Sequence, residues 1–328
     1  MKAIIVQAEQ EGRPLIWQEA PTPGYAADEV LVNVSAAALN RADLLQRAGN
    51  YPPPPGASQI LGLEVAGRIA AMGADVTGWQ IGDRVCALLS GGGYAEQVNV
   101  PAAMLMPVPA GWSDAQAAAI PEAFFTAYLN LFLEAGLRSG ETVLIHGGAS
   151  GVGTAAIQLV RSAGGRALVT VGSEEKAARC RELGAELAIN YKQEDFAERI
   201  LAHTDGAGVD VILDSIGAAY FERNIRLLKL RGRLVFIASM GGSRTELNIP
   251  ALMGRRLRLI GSVLRSRSLA EKIEIRERFM THAWPSLLDG TLQPVIDSIH
   301  PIEQANDAHR RMAENRNIGK IILLLDES

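Results

Sequence analysis

Val143-Leu144-Ile145-His146-Gly147-Gly148-Ala149-Ser150-Gly151-Val152-Gly153 is the stretch on which the fold turns. An apolar, β-branched run delivers the chain into a cluster of glycines, and a helix is predicted to open at once, over 151–163. No polar residue alternates within Val143-Leu144-Ile145, so this strand is expected to be buried on both faces. Glycines let backbone approach a pyrophosphate closely, and the free N–H groups and positive dipole at a helix start attract its charge. A dinucleotide is the natural occupant of Gly148, Ser150, Gly151, Val152 and Gly153; a tight strand-to-helix turn is the alternative. The three-glycine spacing is not met to the letter, because Ser150 stands at one glycine-like place, where its hydroxyl can bond the phosphate instead.

Working outward, the alternation continues. Strands are predicted at 142–146, 167–171, 187–190, 209–214, 234–238 and 257–264, with helices at 151–163 and 174–183. Such alternation implies a doubly wound parallel sheet. Upstream, 2–6, 29–34, 65–70 and 83–88 read as strands divided by Gly and Pro, so the first hundred residues are expected to be all-β. Residues 114–133 read as a helix started by Ser113 and Asp114 and broken at Pro121. The tail is mixed, ends in an apolar strand at 321–325, and is expected to rejoin the first domain. The expected division is therefore 1–120 with 265–328, and 121–264.

A length of 328 residues suggests about two domains at roughly 150 residues each. With 48% hydrophobic and 21% charged residues, the composition excludes a disordered or fibrous chain. The longest apolar runs fall far short of the ~20 residues that span a bilayer, and the N-terminus lacks the pattern of a signal peptide. A cytoplasmic location is expected. A net charge of −4 gives no broad reason to bind nucleic acid or acidic membrane, and the arginines at 223–233 and 255–258 read as solvated faces. Two cysteines, Cys86 and Cys180, cannot build a four-thiolate zinc site or a disulfide framework. The five histidines show no spacing of two or four residues that would pair them as ligands; all read as structural, with His146 left open by its place beside the turn. The run Tyr51, Pro52 to Pro55 and Gly56 reads as a rigid loop that fixes Tyr51, the alternative being a polyproline docking ligand.

Cofactor choice is written at the end of the second predicted strand. A site for NAD places Asp or Glu there, about twenty residues beyond the glycines. Here Val171 is followed by Gly172 and Ser173. That leaves room for a 2′-phosphate, with Ser173 as hydroxyl donor, Lys176 as counter-charge and Tyr191 as a phenolic donor. Glu174 and Glu175 oppose a phosphate only if they turn inward; acids in a first helical turn commonly complement the dipole. NADPH is expected over NADH.

Gly62-Leu63-Glu64-Val65-Ala66-Gly67, then a dinucleotide-type unit, then a return to the β region, resembles the medium-chain dehydrogenase/reductase superfamily. Within it, Ala38-Leu39-Asn40-Arg41-Ala42-Asp43, the Tyr51 loop, Ala118-Ala119-Ile120-Pro121-Glu122, the Ser150 turn and Asn317-Ile318-Gly319-Lys320 resemble zinc-free quinone oxidoreductases, nearest the tumour-suppressor-inducible type. The resemblance implies an α/β protein made of a GroES-like β-barrel catalytic domain and a Rossmann doubly wound parallel-sheet cofactor domain. Zinc-dependent members carry a His before the glutamate and a Cys near the Asn40 position. Leu63 and Asn40 stand there instead, so no metal is expected. By resemblance, Asn40 and Tyr51 line the acceptor cleft and are the catalytic candidates; otherwise Asn40 caps a short helix and Tyr51 packs. Thr126 aligns with a threonine beside the nicotinamide. Val263 and Leu264 match the segment passing under it, and Asn317 belongs to a motif near the same cleft. Met240 and Gly241 follow a strand at its carboxyl end, and Gly217 permits close approach of the cofactor.

Without a metal to polarise a carbonyl, the acceptor must already be electron-poor. The leading expectation is an NADPH-dependent quinone reductase. A hydroquinone oxyanion is a weak base that water can protonate, so no triad or carboxylate dyad is expected. The alternatives are a reductase of enals, enones or enoyl thioesters, for which Tyr51 is a candidate proton donor, and an NADPH- or RNA-binding protein with weak catalysis. The resemblance also implies a homodimer through 257–264.

Overall fold

The computed structural model describes residues 1–325. They form two compact units. The second unit comprises Phe124–Leu264 and Phe279–Gln293. Its six strands are all parallel, in the order Leu187–Asn190, Arg166–Val171, Thr142–His146, Val209–Asp214, Leu228–Phe236 and Arg258–Gly261. Counted along the chain this is order 3-2-1-4-5-6, the doubly wound arrangement, whose direction of winding reverses beside the first strand. Thr142–His146 is buried at every residue. It pairs Leu144 with Leu168 on one side and Ile212 with Leu144 on the other. Leu144, Leu168, Ile212 and Leu234 are wholly buried with Phe196 and Ile200 from the helix Phe196–His203; each large apolar side chain so placed contributes roughly 1.5–3 kcal/mol.

Two strands differ from expectation. The fifth begins at Leu228, well before 234, and holds Arg231 at a positive φ of 63° beside Gly232. Polar Lys229 and Arg231 hid its start. The sixth is shorter than 257–264: Ser262 N–H makes the last bond, to Phe236 O at 3.0 Å, after which Val263 turns outward. Helix 121–128 passes into a π-turn, Leu129–Glu134, not anticipated from the sequence. Its cause is local. The Asn130 side-chain amide donates to Thr126 O at 2.7 Å, and Ala135 N–H bonds Asn130 O, five residues back.

The first unit comprises Met1–Ala123, Arg265–Arg278 and the chain from Pro294 onward. Its main sheet runs Ile296–Pro301, Lys320–Leu324, Glu29–Ala38, Glu64–Met72, Arg84–Leu88, Leu105–Pro107, with Gln97–Pro101 also on Glu29–Ala38. The last strand lies antiparallel on Glu29–Ala38, with Ile322 opposite Ala38. The first hundred residues are not all-β, because Arg41–Arg47 is a helix. Asn40, two residues past the preceding strand, is still extended, and its N–H donates to Asp43 Oδ2 at 2.8 Å, which turns the chain. The tail does not return as one piece from Arg265: Phe279–Gln293 belongs to the second unit. Phe279 packs on Phe125 at 5.0 Å between ring centroids, and Gln293 N–H donates to Gln158 Oε1 at 2.9 Å.

Candidate active site

In the second unit the glycine turn sits where the sheet's carboxyl ends meet the reversal of winding. Gly147 takes φ 71°, and a Cβ there would come 3.7 Å from Ser215 Oγ beyond the neighbouring strand. Gly148 has no room for a side chain, since a Cβ would lie 2.6 Å from Val169 Cβ. At Gly153 a Cβ would stand 2.3 Å from Gly147 O. The helix Gly151–Ser162 can therefore start tight against the turn. Ser150 caps it: Gly153 N–H donates to Ser150 Oγ at 3.0 Å and Thr154 N–H to Ser150 O at 2.8 Å. Among the described residues, the amides of Gly151 and Val152 are left uncommitted, and the Ser150 hydroxyl keeps its own proton to donate. Two free N–H groups at the positive end of a three-turn helix fit a pyrophosphate.

The second strand ends at Val171. Ser173 caps the helix Glu174–Glu182, accepting Lys176 N–H at 3.3 Å. Glu174 and Glu175 are exposed, and Glu174 pairs with Arg181 at 2.7 Å, so it does not face the strand end. Tyr191 bonds back to Val171 O at 3.1 Å, and its phenol lies 2.9 Å from where a Gly172 Cβ would be. The structure thus brings Gly172, Ser173, Lys176 and Tyr191 to one corner. Lys192, not anticipated, is there too: its Cε lies 3.7 Å from the same Gly172 position.

The other second-unit candidates lie in different settings. Gly217, at φ 81°, donates to Asp214 Oδ1 at 3.1 Å. Met240 is exposed, and Gly241 N–H donates to Ile216 O at 2.7 Å, so this loop folds over 216–219. Thr126 is half-buried in its helix, Val263 is exposed and Leu264 buried. His146 is structural. Its Nδ1 meets Thr170 Oγ1 at 2.9 Å and its Nε2 meets Asn224 Oδ1 at 2.8 Å, and burial lowers its pKa to about 4.

The first unit holds a buried charge cluster. Glu64, first residue of its strand, is fully buried. Lys320 Nζ lies 2.6 Å from Glu64 Oε1, Asn40 Nδ2 donates to the same oxygen at 2.9 Å, and Glu122 N–H donates to Oε2 at 2.8 Å. Lys320 also donates to Asn40 Oδ1 at 2.7 Å. The Asn40 amide also donates to Ala38 O at 3.3 Å, so both its ends are committed to protein. Below it, Asp43 accepts from Gly62 N–H at 3.1 Å and Tyr94 OH at 3.1 Å, and burial raises its pKa to about 6. Asn317 is buried and donates to Gly319 O at 2.8 Å, shaping the turn before the last strand. Tyr51 is half-buried, with the Arg265 guanidinium 5.3 Å from its ring centroid.

Glu64, Glu122, Arg265, Lys272 and Lys320 were not among the expected site residues. Glu122 and Lys320 stand in motifs quoted above, and Arg265 directly follows Leu264, but nothing in their spacing joins them. A zinc ion does not fit this donor set, because an ammonium, an amide and a backbone N–H already occupy the Glu64 carboxylate.

A mainly antiparallel first unit and a 3-2-1-4-5-6 dinucleotide sheet with an open glycine turn define a nicotinamide-type oxidoreductase. The chain belongs to the medium-chain dehydrogenase/reductase superfamily. Residues 26–110 match the alcohol dehydrogenase GroES-like domain and residues 151–279 the zinc-binding dehydrogenase family. It is 32% identical over 305 residues to the quinone oxidoreductase of Rattus norvegicus, covering 92% of this chain and 91% of that protein. It is 34% identical over 305 residues to a mycocerosic acid synthase-like polyketide synthase of Mycobacterium tuberculosis, covering 92% of this chain but spanning only 14% of the length of that protein. Among solved structures, an NAD-dependent alcohol dehydrogenase superposes with TM-score 0.86 at 31% identity, covering 99% of this chain and 100% of the other. The CurK enoyl reductase superposes with TM-score 0.87 at 28% identity over 99% of both chains. The family's chemistry is carried by a nicotinamide cofactor, and the turn built on Gly148, Gly151, Val152 and Gly153 fits its pyrophosphate.

Proposed function

We propose that this protein is an NADPH-dependent, zinc-independent quinone reductase, of the tumour-suppressor-inducible type. The observation that carries the reading is the Lys320 ammonium on Glu64. A cation supplied by the chain stands at the carboxylate, with Leu63 and Asn40 in the places of zinc ligands. Chemistry at such a site must rely on an acceptor that is already electron-poor. When bound, the dihydronicotinamide supplies the hydride. The chain's own residues grip and orient. The Gly151 and Val152 amides, with the Ser150 hydroxyl, bind the pyrophosphate. Ser173, Lys176 and Tyr191, joined by Lys192, favour a 2′-phosphate and hence NADPH. Gly217, Met240 and Gly241 border the cofactor at the sheet's carboxyl ends, and Thr126, Val263, Leu264 and Asn317 are assigned to the nicotinamide on the family resemblance alone. Tyr51 contacts the acceptor, and Asn40, its amide fully committed, positions the wall of that site.

The CurK superposition supports a second reading, reduction of an enoyl thioester or enone. Steady-state oxidation of NADPH and NADH by chelator-treated protein separates them, with an ortho-quinone, a para-benzoquinone, an enal and an enoyl thioester as acceptors. Quinones reduced with NADPH are the expected result; dominance of the alkenes replaces the first reading with the second. No turnover with retained NADPH binding leaves a binding protein.

No helix among the described residues is long and apolar enough to cross a membrane. The buried, unpaired Cys86 and Cys180 support a reducing, cytoplasmic setting. Arg258–Gly261 is an edge strand, with Leu259 and Ile260 half-buried and Val263 exposed, which supports a homodimer formed by pairing this edge with its copy. A monomer in sedimentation at micromolar concentration removes that assignment.

A further inference from the structure

Glu122 and Arg265 carry polar groups that neither the fold nor the Glu64 ion pair uses. Glu122 is held by its backbone, whose N–H bonds Glu64, at the second residue of the helix Pro121–Tyr128. The residue is half-buried, and no group among the described residues hydrogen-bonds its carboxyl. Arg265 is 4% exposed. Its Nε and Nη2 bond Ser90 O at 3.0 and 2.9 Å, and Nη2 also bonds Gln46 Oε1 at 2.7 Å. Among the described residues Nη1 is buried with no partner. An unpaired N–H on a buried guanidinium costs more than it returns unless something outside the protein accepts it. The same guanidinium lies over the ring of Tyr51, whose hydroxyl is likewise without a hydrogen bond among the described residues.

The charges facing Glu122 come from every neighbouring segment. Glu64 and Asp43 oppose its ionisation, Lys320 and Lys272 favour it, and Tyr51 and Arg265 feel its charge. Lys272 is itself engaged with Ser90 Oγ at 2.7 Å and Arg265 O at 2.8 Å. Burial first, and the Glu64 carboxylate second, push the Glu122 carboxyl up to about 8, so it holds its proton at neutral pH.

We propose that Glu122 is the acid of the acceptor site and that Arg265 Nη1 is its oxyanion donor. The inference rests on the reductase reading above. The acceptor gains a hydrogen and two electrons from the dihydronicotinamide, which is oxidised, and the negative charge collects on the acceptor oxygen. Arg265 Nη1 and the Tyr51 hydroxyl hold that oxygen. The O–H bond of the Glu122 carboxyl breaks as an O–H bond forms on the acceptor, and the carboxylate takes a proton back from water. A built-in acid thus replaces the solvent protonation expected from the sequence.

The test begins on ligand-free protein, by carbon-13 NMR of glutamate-labelled chain across pH. Wild type is expected to show a carboxyl titrating near pH 8 that is missing in Glu122→Gln; an ionised Glu122 at pH 7 overturns the proposal whether or not any variant folds. Turnover with the best acceptor of the panel comes next. Glu122→Gln is expected to lower kcat by about 100-fold, to abolish the alkaline fall of the pH profile and to leave NADPH binding unchanged. Arg265→Met is expected to lower kcat by a similar factor and to keep an alkaline limb, shifted toward higher pH because a cation that favours the Glu122 carboxylate is gone. Wild-type turnover with Glu122→Gln within about threefold and its alkaline limb intact overturns the acid while the reductase reading stands. No turnover of any acceptor by wild type overturns both.

Discussion

The two units handle buried polarity in opposite ways. In the second, the groups that matter are backbone amides of Gly151 and Val152 left open at a helix start. In the first, they are side chains, and most are closed: Glu64 meets Lys320, Asn40 and the Glu122 amide. Open amides can wait in water at little cost, whereas a buried carboxylate needs its partners at once. Backbone is therefore suited to a ligand that comes and goes, and a side-chain network to holding a wall still. Glu122 and Arg265 are two places where, among the described residues, that closed network is left incomplete.

The largest expected effect comes from breaking the closed side. Lys320→Met strands the Glu64 carboxylate and should cost about 3–5 kcal/mol in urea unfolding. Adding Glu64→Leu should recover most of it; an undiminished loss in the double variant would mean Lys320 acts through something other than the pair. The pH dependence of stability sharpens the contrast next. The Glu122 pKa is raised from 4.5 to about 8 on folding, so its contribution is fully present below pH 4.5 and is lost as pH rises to 8. Relative to Glu122→Gln, wild type should lose roughly 1.4 kcal/mol per pH unit across that window. A flat difference contradicts the environment assigned to the carboxyl. On the open side, Gly153→Ala drives a methyl toward Gly147 O and should cost about 1–3 kcal/mol, weakening NADPH binding at least about tenfold; calorimetric titration reads both. Smallest is Lys176→Ala, expected to weaken NADPH by about 1 kcal/mol and to spare NADH. Equal losses for the two remove the 2′-phosphate assignment.

What the sequence disclosed follows the same division. The strands at 142–146, 187–190 and 209–214 end where expected, because turn residues bound short, mostly apolar runs. The glycine turn was readable since all its parts lie within eleven consecutive residues. Leu228–Phe236 was half hidden, because Lys229 and Arg231 break its apolar pattern and its pairing with Val209–Asp214 skips from Leu228 to Arg233. The charge cluster was not readable as a site. Asn40, Glu64, Glu122 and Lys320 stood in separate quoted motifs, yet only folding brings them together and adds Arg265 and Lys272, and pairings so distant leave no local period.

The place of Lys320 in the chain also sets an order of assembly. On the ribosome, the parallel sheet has all six strands once Gly261 has emerged, while Glu64, made far earlier, has no ammonium to meet until the last strand arrives. The first unit to be synthesised is therefore the last to be finished. Until then its acidic interior must stay open to water, and the nascent chain exposes the edge at Ala36, Ala37 and Ala38 without the strand that pairs there.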